Sequence, residues 1–158
     1  MNNAVCPRTL SATAKVLLVS PEIGVKPNLA ELEAVAGRGL RGHGGPDLDA
    51  IERAATTLRA AGAGAVVVTL GADGLLAVTE SGTWHARPPG PVAGNPTGAG
   101  DAVTAGLADS LVRGQDWPAM LRHAVALGTA AVAAPVAGEF APADYEQLVT
   151  AVHVAGAA

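Results

Sequence analysis

Two hydrophobic periods alternate along this chain. Residues 15–20 (KVLLVS) are a short, mostly apolar run that predicts a buried strand. Ser20-Pro21 and Gly24 mark a turn, and a brief extended piece leads to Lys26-Pro27-Asn28. Asn28 suits a helix N-cap, with Glu31 three residues on at the capping-box position. Leu29, Leu32 and Val35 follow on one side of that helix, which should end near Gly37. Residues 37–46 read as a loop containing five glycines. Asp47 can cap a second helix, in which Leu48, Ile51, Ala55 and Leu58 recur at helical spacing up to Gly62. Residues 65–70 (AVVVTL) are the clearest strand, continuous and β-branched as in a parallel sheet. Gly71-Ala-Asp-Gly74 turns that strand into residues 75–78, and Glu80-Ser-Gly82 is a hairpin turn into residues 83–86. A Pro/Gly loop spans 87–100. Three helical patterns finish the chain: 101–113, with Val103, Leu107 and Leu111 inward; 118–134, rich in Ala and Gly; and 143–154, with Tyr145, Leu148, Val149 and Val152 on one side. This order of elements predicts an α/β fold with a mostly parallel sheet and a small antiparallel hairpin. Residues 1–14 lack periodicity and read as a loose leader before a domain over 15–158.

Composition narrows the picture. A length of 158 residues fits one domain with a real core, so no metal or disulfide staple is needed. A composition of 49% apolar and 15% charged residues argues against wholesale disorder. A net charge of −4 argues against a nucleic-acid or polybasic membrane binder. The single cysteine, Cys6, excludes an internal disulfide and a Cys-based zinc site. The first twenty residues hold no signal-like apolar run, and the most apolar stretch, 124–138, is short and interrupted by Pro135. The expectation is a cytoplasmic protein. Aromatics are only 3%, so the core should be built of small and branched aliphatic side chains.

The chemistry must then come from oxygen, nitrogen and backbone groups. Asn95-Pro-Thr-Gly-Ala-Gly-Asp101 is the most informative segment. Thr97 to Gly100 precede a helix, so backbone N–H groups converge there into an anion site. Gly98 and Gly100 allow a phosphate to approach the backbone. A carboxylate at the first helical position, Asp101, would repel that anion unless it acts on a hydroxyl beside it. A base next to an oxyanion cradle is what phosphoryl transfer to an alcohol requires. A favourable helix-start aspartate is the plainer alternative. Neither a Walker A pattern nor a dinucleotide fingerprint occurs. Thr69-Leu-Gly71-Ala-Asp-Gly74 lies at the carboxyl end of the strongest strand, where open α/β sheets bind ligands; taken alone, a tight turn explains it better. Asn28 and Glu31 could order hydrated Mg²⁺ or phosphate, or simply cap a helix. His43, His85, His123 and His153 have no partner at metal-ligand spacing, and Trp84 and Trp117 read as partial core or rim.

In series, KPNLAE (26–31), TLGADG (69–74) and NPTGAGD (95–101) resemble the PfkB/ribokinase family of carbohydrate kinases, over about residues 24–150. The wording is most similar to the branch acting on sugar phosphates, the 1-phosphofructokinases and tagatose-6-phosphate kinases. The resemblance implies a ribokinase-like fold and an ATP-dependent kinase using Mg²⁺. It makes Asp101 the base for the acceptor hydroxyl. The N–H groups of Gly98, Ala99, Gly100 and Asp101 become the anion hole. Lys26, Asn28, Thr69, Gly71, Gly74 and Thr97 are placed against ATP. Glu31 and Asn28 act on Mg²⁺ through water, and residues 124–131 wall the adenine. Family members are about twice as long, and what is present resembles their C-terminal, nucleotide-binding half. The sugar-binding half and lid have no counterpart, so the chain reads as truncated at its N-terminal side. Its partners are then ATP, a sugar or sugar phosphate, and a second copy or a complementing N-terminal half. The alternative is a catalytically inactive nucleotide- or partner-binding remnant.

Overall fold

The protein is described by a computed structural model that covers residues 17–18 and 24–156. The proposed leader (1–14), Cys6 and most of the strand expected over 15–20 lie outside the described residues. Two units can be distinguished, one holding residues up to 70 together with 76–83, the other residues 71–75 and 84 onward.

In the first unit the strands β1 (Leu17–Leu18), β2 (Val25–Lys26), β5 (Val66–Thr69) and β6 (Leu75–Thr79, shared at Leu75 with the second unit) run side by side in that order. β1 is antiparallel to β2, whereas β2 is parallel to β5, with Val25 opposite Val66. Two helices complete the unit, α1 (Leu29–Ala36) and α2 (Leu48–Ala60). Asn28 caps α1 and Glu31 closes a capping box, as the spacing predicts, and Gly37 ends the helix in the left-handed region. Asp47 caps α2 through Ala50 N–H at 3.0 Å. Leu29, Leu32, Ile51 and Ala55 are buried with Val66, Val68, Leu76 and Val78 in one apolar cluster, which fixes the strand ends. The loop expected over 37–46 is instead a small hairpin, β3 (Arg41–Gly42) with β4 (Gly45–Pro46). Its strands are too short to show a period, so only the glycines were visible beforehand.

The second unit takes the last residues of β7 (Gly82–Arg87) and pairs them antiparallel with β8 (His153–Gly156). Its helices are α3 (Ala99–Val112), α4 (Trp117–Ala133) and α5 (Pro142–Ala151). The final helix expected over 143–154 stops early. Val152 turns to an extended conformation, and His153 and Val154 join the ladder on β7. The helical period at Tyr145, Leu148 and Val149 is real; beyond it, pairing with a neighbouring strand outweighs local periodicity. α3 and α4 touch through small residues: a Cβ on Gly106 would lie 2.9 Å from the Ala124 Cα, and one on Gly128 would lie 2.7 Å from Val103 Cγ2. Val103, Leu107, Leu121, Ala124 and Val125 are buried at this contact. A Gly106→Ala substitution must push the two helices apart. It is expected to lower stability by about 1–3 kcal/mol, read as a lower urea midpoint at unchanged slope.

Candidate active site

The first unit gathers four of the residues singled out above. β2 and β5 run parallel, so their carboxyl ends point the same way. Asn28 bridges to Thr69 just beyond β2, and Thr69 N–H donates to Pro27 O at 3.0 Å. Pro27 and Lys26, the two residues before Asn28, are buried. Asn28 is exposed; its Oδ1 accepts from Glu31 N–H at 2.9 Å, and Glu31 Oε2 accepts from Asn28 N–H at 2.8 Å. The capping box therefore engages the two side chains that the sequence offered to Mg²⁺. One carboxylate oxygen is committed to the helix start, so Glu31 suits a cation that keeps its own water shell. Mg²⁺ behaves that way, binding through one or two carboxylates and substrate phosphates. Among the described residues no cluster of three or more His, Cys, Asp or Glu could hold a bare metal ion.

The second unit holds the turn after β5 and the start of α3. Residues Gly71–Asp73 form one 3₁₀ turn, closed by Gly74 N–H donating to Gly71 O at 3.1 Å. Gly71 is exposed at φ +63°. Gly74 is buried, and a Cβ there would overlap the carbonyl oxygen of Ala86. Close packing and a φ of +83° both call for glycine here. His85 Nε2 lies 3.0 Å from Asp73 O. Burial is the main cause of a lowered His85 pKa, opposed by the bond to Asp73 and assisted by the Arg87 charge.

α3 begins two residues before the expected position. Gly98 is its N-cap, at φ +88°, so Asp101 is the third helical residue and not the first. The Pro/Gly loop does not extend as far as 100, because Gly98 in the left-handed region already turns the chain into the helix. α1, α2 and α4 each have a capping side chain, Asn28, Asp47 and Asp116, whereas α3 and α5 have none. Thr97 N–H is taken by Asn95 Oδ1 at 3.0 Å and Ala99 N–H by Pro96 O at 3.2 Å. The N–H groups of Gly100 and Asp101 thus belong to a first turn that no side chain covers. Both residues are exposed, and nothing lies within 4 Å of where a Cβ on Gly100 would sit. Neither the fold nor its dihedrals require glycine at 100, whereas a closely approaching ligand would. The small residues of 124–131 are largely buried, with Ala124 and Gly128 against α3.

One cluster escaped sequence reasoning. His123 on α4 contacts Tyr145 Oη on α5 through Nδ1 at 2.7 Å. Its Nε2 lies 3.1 Å from Asp109 Oδ2 on α3, too misaligned for a hydrogen bond. Asp109 also pairs with Arg113 at 3.0 Å. Burial holds the Tyr145 hydroxyl above its usual pKa, against the Arg113 charge. This cluster ties three helices together. No spacing rule links residues 109, 123 and 145.

The comparisons agree with one another. The family described as pfkB family carbohydrate kinase matches residues 11–144. A 1-phosphofructokinase of Escherichia coli K12 is 41% identical over 108 residues, covering 68% of this chain and 33% of that protein. A 1-phosphofructokinase of Rhodobacter capsulatus is 37% identical over 131 residues, covering 83% and 38%. The chain therefore spans little more than a third of the length of these curated relatives. Phosphofructokinase-2 from Escherichia coli, solved with potassium, superposes with a TM-score of 0.70 at 28% identity, covering 79% of this chain and 39% of that one. A ribokinase from Thermotoga maritima superposes at 0.66 with 24% identity over 79% of this chain and 41% of that one, a likeness of fold alone. The α/β expectation holds, as a ribokinase-like arrangement of mixed strands and helices.

Two tests follow from the local geometry. Gly98→Ala forces a side chain into the left-handed region and should cost about 1–2 kcal/mol, whereas Gly100→Ala should leave the melting temperature unchanged or slightly raised. For His85 the folded pKa is below the unfolded one, so the unfolded chain takes up the proton first. Stability is then lost as pH falls through the usual histidine value of 6.5 toward the folded pKa. The urea midpoint should drop less between about pH 7.5 and about pH 5.5, roughly one unit either side of that value, in His85→Gln than in the wild type.

Proposed function

Because this chain belongs to the pfkB family of carbohydrate kinases, we propose that it carries the nucleotide-binding and phosphoryl-transfer half of an ATP-dependent sugar-phosphate kinase. The observation that supports this reading best is the start of α3. A glycine cap, an uncovered first turn and an open position at Gly100 leave backbone N–H groups free to meet an anion, with the exposed Asp101 carboxylate one residue on. The helix dipole adds to the attraction. An anionic γ-phosphoryl group bound there spreads its transition-state charge over fixed N–H donors, which need not reorganise as the reaction proceeds.

Asp101 is the proposed base. The acceptor hydroxyl gives its proton to the Asp101 carboxylate as its oxygen attacks the γ-phosphorus. The bond from that phosphorus to the β–γ bridging oxygen breaks, and ADP leaves. Lys26, Asn28, Thr69, Gly71, Gly74 and Thr97 are assigned to ATP. Glu31 and Asn28 are assigned to the waters of Mg²⁺, which when bound neutralises phosphate charge. The names of the relatives point to a fructose phosphate as acceptor. The second reading is a nucleotide- or partner-binding remnant. A second copy of this chain or a complementing chain is the proposed protein partner under the first reading.

Titration with ATP and Mg²⁺ should give saturable binding that Gly100→Val weakens at least about tenfold, a loss of the order of 1.4 kcal/mol. Acceptor-dependent ADP formation should fall by about 10²–10⁴ in Asp101→Asn while ATP affinity is kept. Unchanged turnover in that variant would remove Asp101 as base. Binding without any ADP formation, by the chain alone and with fructose phosphates, would leave the remnant reading.

A further inference from the structure

The 71–74 turn hangs between two strands with little to hold it. Its first three residues are exposed, and its internal bond is the single one from Gly74 N–H to Gly71 O. Its last residue is fixed, because Gly74 is packed against the backbone of Ala86. The His85 side chain reaches its middle, with Nε2 3.0 Å from Asp73 O. His85 is well placed to act as an anchor. It sits on β7 in register with β8, opposite Ala155, and the next residue, Ala86, is fully buried.

The chemistry of this contact is one-directional. A carbonyl oxygen only accepts, so Nε2 must carry the proton. The charged and titratable groups facing His85 are Arg87 on its own strand, His153 on β8, which stands opposite Arg87, and Asp73 in the turn. Burial is the main influence against the imidazolium, with Arg87 adding to it, and the Asp73 side favours it. The result is a neutral ring whose single N–H points at the turn.

We propose that His85 is a positioning residue for the nucleotide: by holding the Asp73 carbonyl it aims the backbone of the 71–74 turn at ATP. This inference presupposes the assignment of that turn to ATP made above. His85 itself touches no reacting atom.

The test is calorimetric titration with ATP and Mg²⁺ of the wild-type chain, His85→Leu and His85→Gln. Gln carries an N–H donor at nearly the place of Nε2. The expected result is an affinity about 3–10-fold weaker in His85→Leu, the worth of one hydrogen bond, and restored to within about twofold in His85→Gln. A role in stability alone would lower the urea midpoint of His85→Leu and leave its ATP affinity unchanged. If His85→Leu fails to fold, His85→Asn replaces it, polar but too short to reach Asp73. Wild-type affinity in the Leu or Asn variant overturns the inference and leaves the nucleotide reading standing. Equal weakening in the Gln variant also overturns it, since the hydrogen bond is then not the cause. A wild-type chain that is folded and binds no ATP overturns the nucleotide reading itself, and this inference with it.

Discussion

Backbone running directly against backbone is the constraint on which the second unit depends. A Cβ at Gly74 would overlap the carbonyl oxygen of Ala86, and one at Gly94 would overlap that of Val132. Asn95 N–H donates to the same Val132 oxygen at 3.0 Å. The loop that leads into α3 is therefore docked on the end of α4 by contacts that admit no side chain. Gly98, at φ +88°, then turns the chain into the helix within one residue. An extended loop between 87 and 98 would otherwise leave the first turn of α3 poorly defined. The close contact of α3 with α4 at Gly106 and Gly128 continues the same design along the helices.

The helix starts show how the chain distributes its polar groups. Three helices satisfy their first turn with a neighbouring side chain, at Asn28, Asp47 and Asp116. Such caps are each worth about 0.5–2 kcal/mol. α5 and α3 both forgo this contribution, and in α3 the uncapped start falls in the segment that carries the family motif. Its uncovered N–H groups stay in contact with solvent and cost little there, yet they are free to exchange water for an anion. A stable, fully capped helix start could not do both. In the first unit the balance is reversed: Asn28 and Glu31 are held by each other, so the helix is secured and any cation must be reached through what remains of their oxygens and through water.

Much of this was legible along the chain. The capping box at Asn28 and Glu31, the Asp47 cap and the β-branched run at Val66–Thr69 are local features, in which neighbours in sequence satisfy one another, and each is found where its pattern places it. The three motifs that carry the family resemblance are local as well. What spacing could not register was conditional on distant partners. The helical period through Tyr145 and Leu148 says nothing about a strand waiting at β7, so the end of α5 and the existence of β8 were invisible. The helix start at Ala99 depends on the dihedral of Gly98, and glycine reveals no preference for one dihedral over another.

The sequence by itself determined the class of fold, the family and the order of the three motifs, because these reside in residue types at fixed separations. The tertiary structure decided what each residue spends its polar atoms on. It assigned Gly74 to packing, left Gly100 with open space, and placed His85 beside a carbonyl twelve residues away. It also joined Asp109, His123 and Tyr145 across three helices. Hydrogen bonds and excluded volume act over a few ångströms, and only the folded chain brings residues so far apart in sequence within that range.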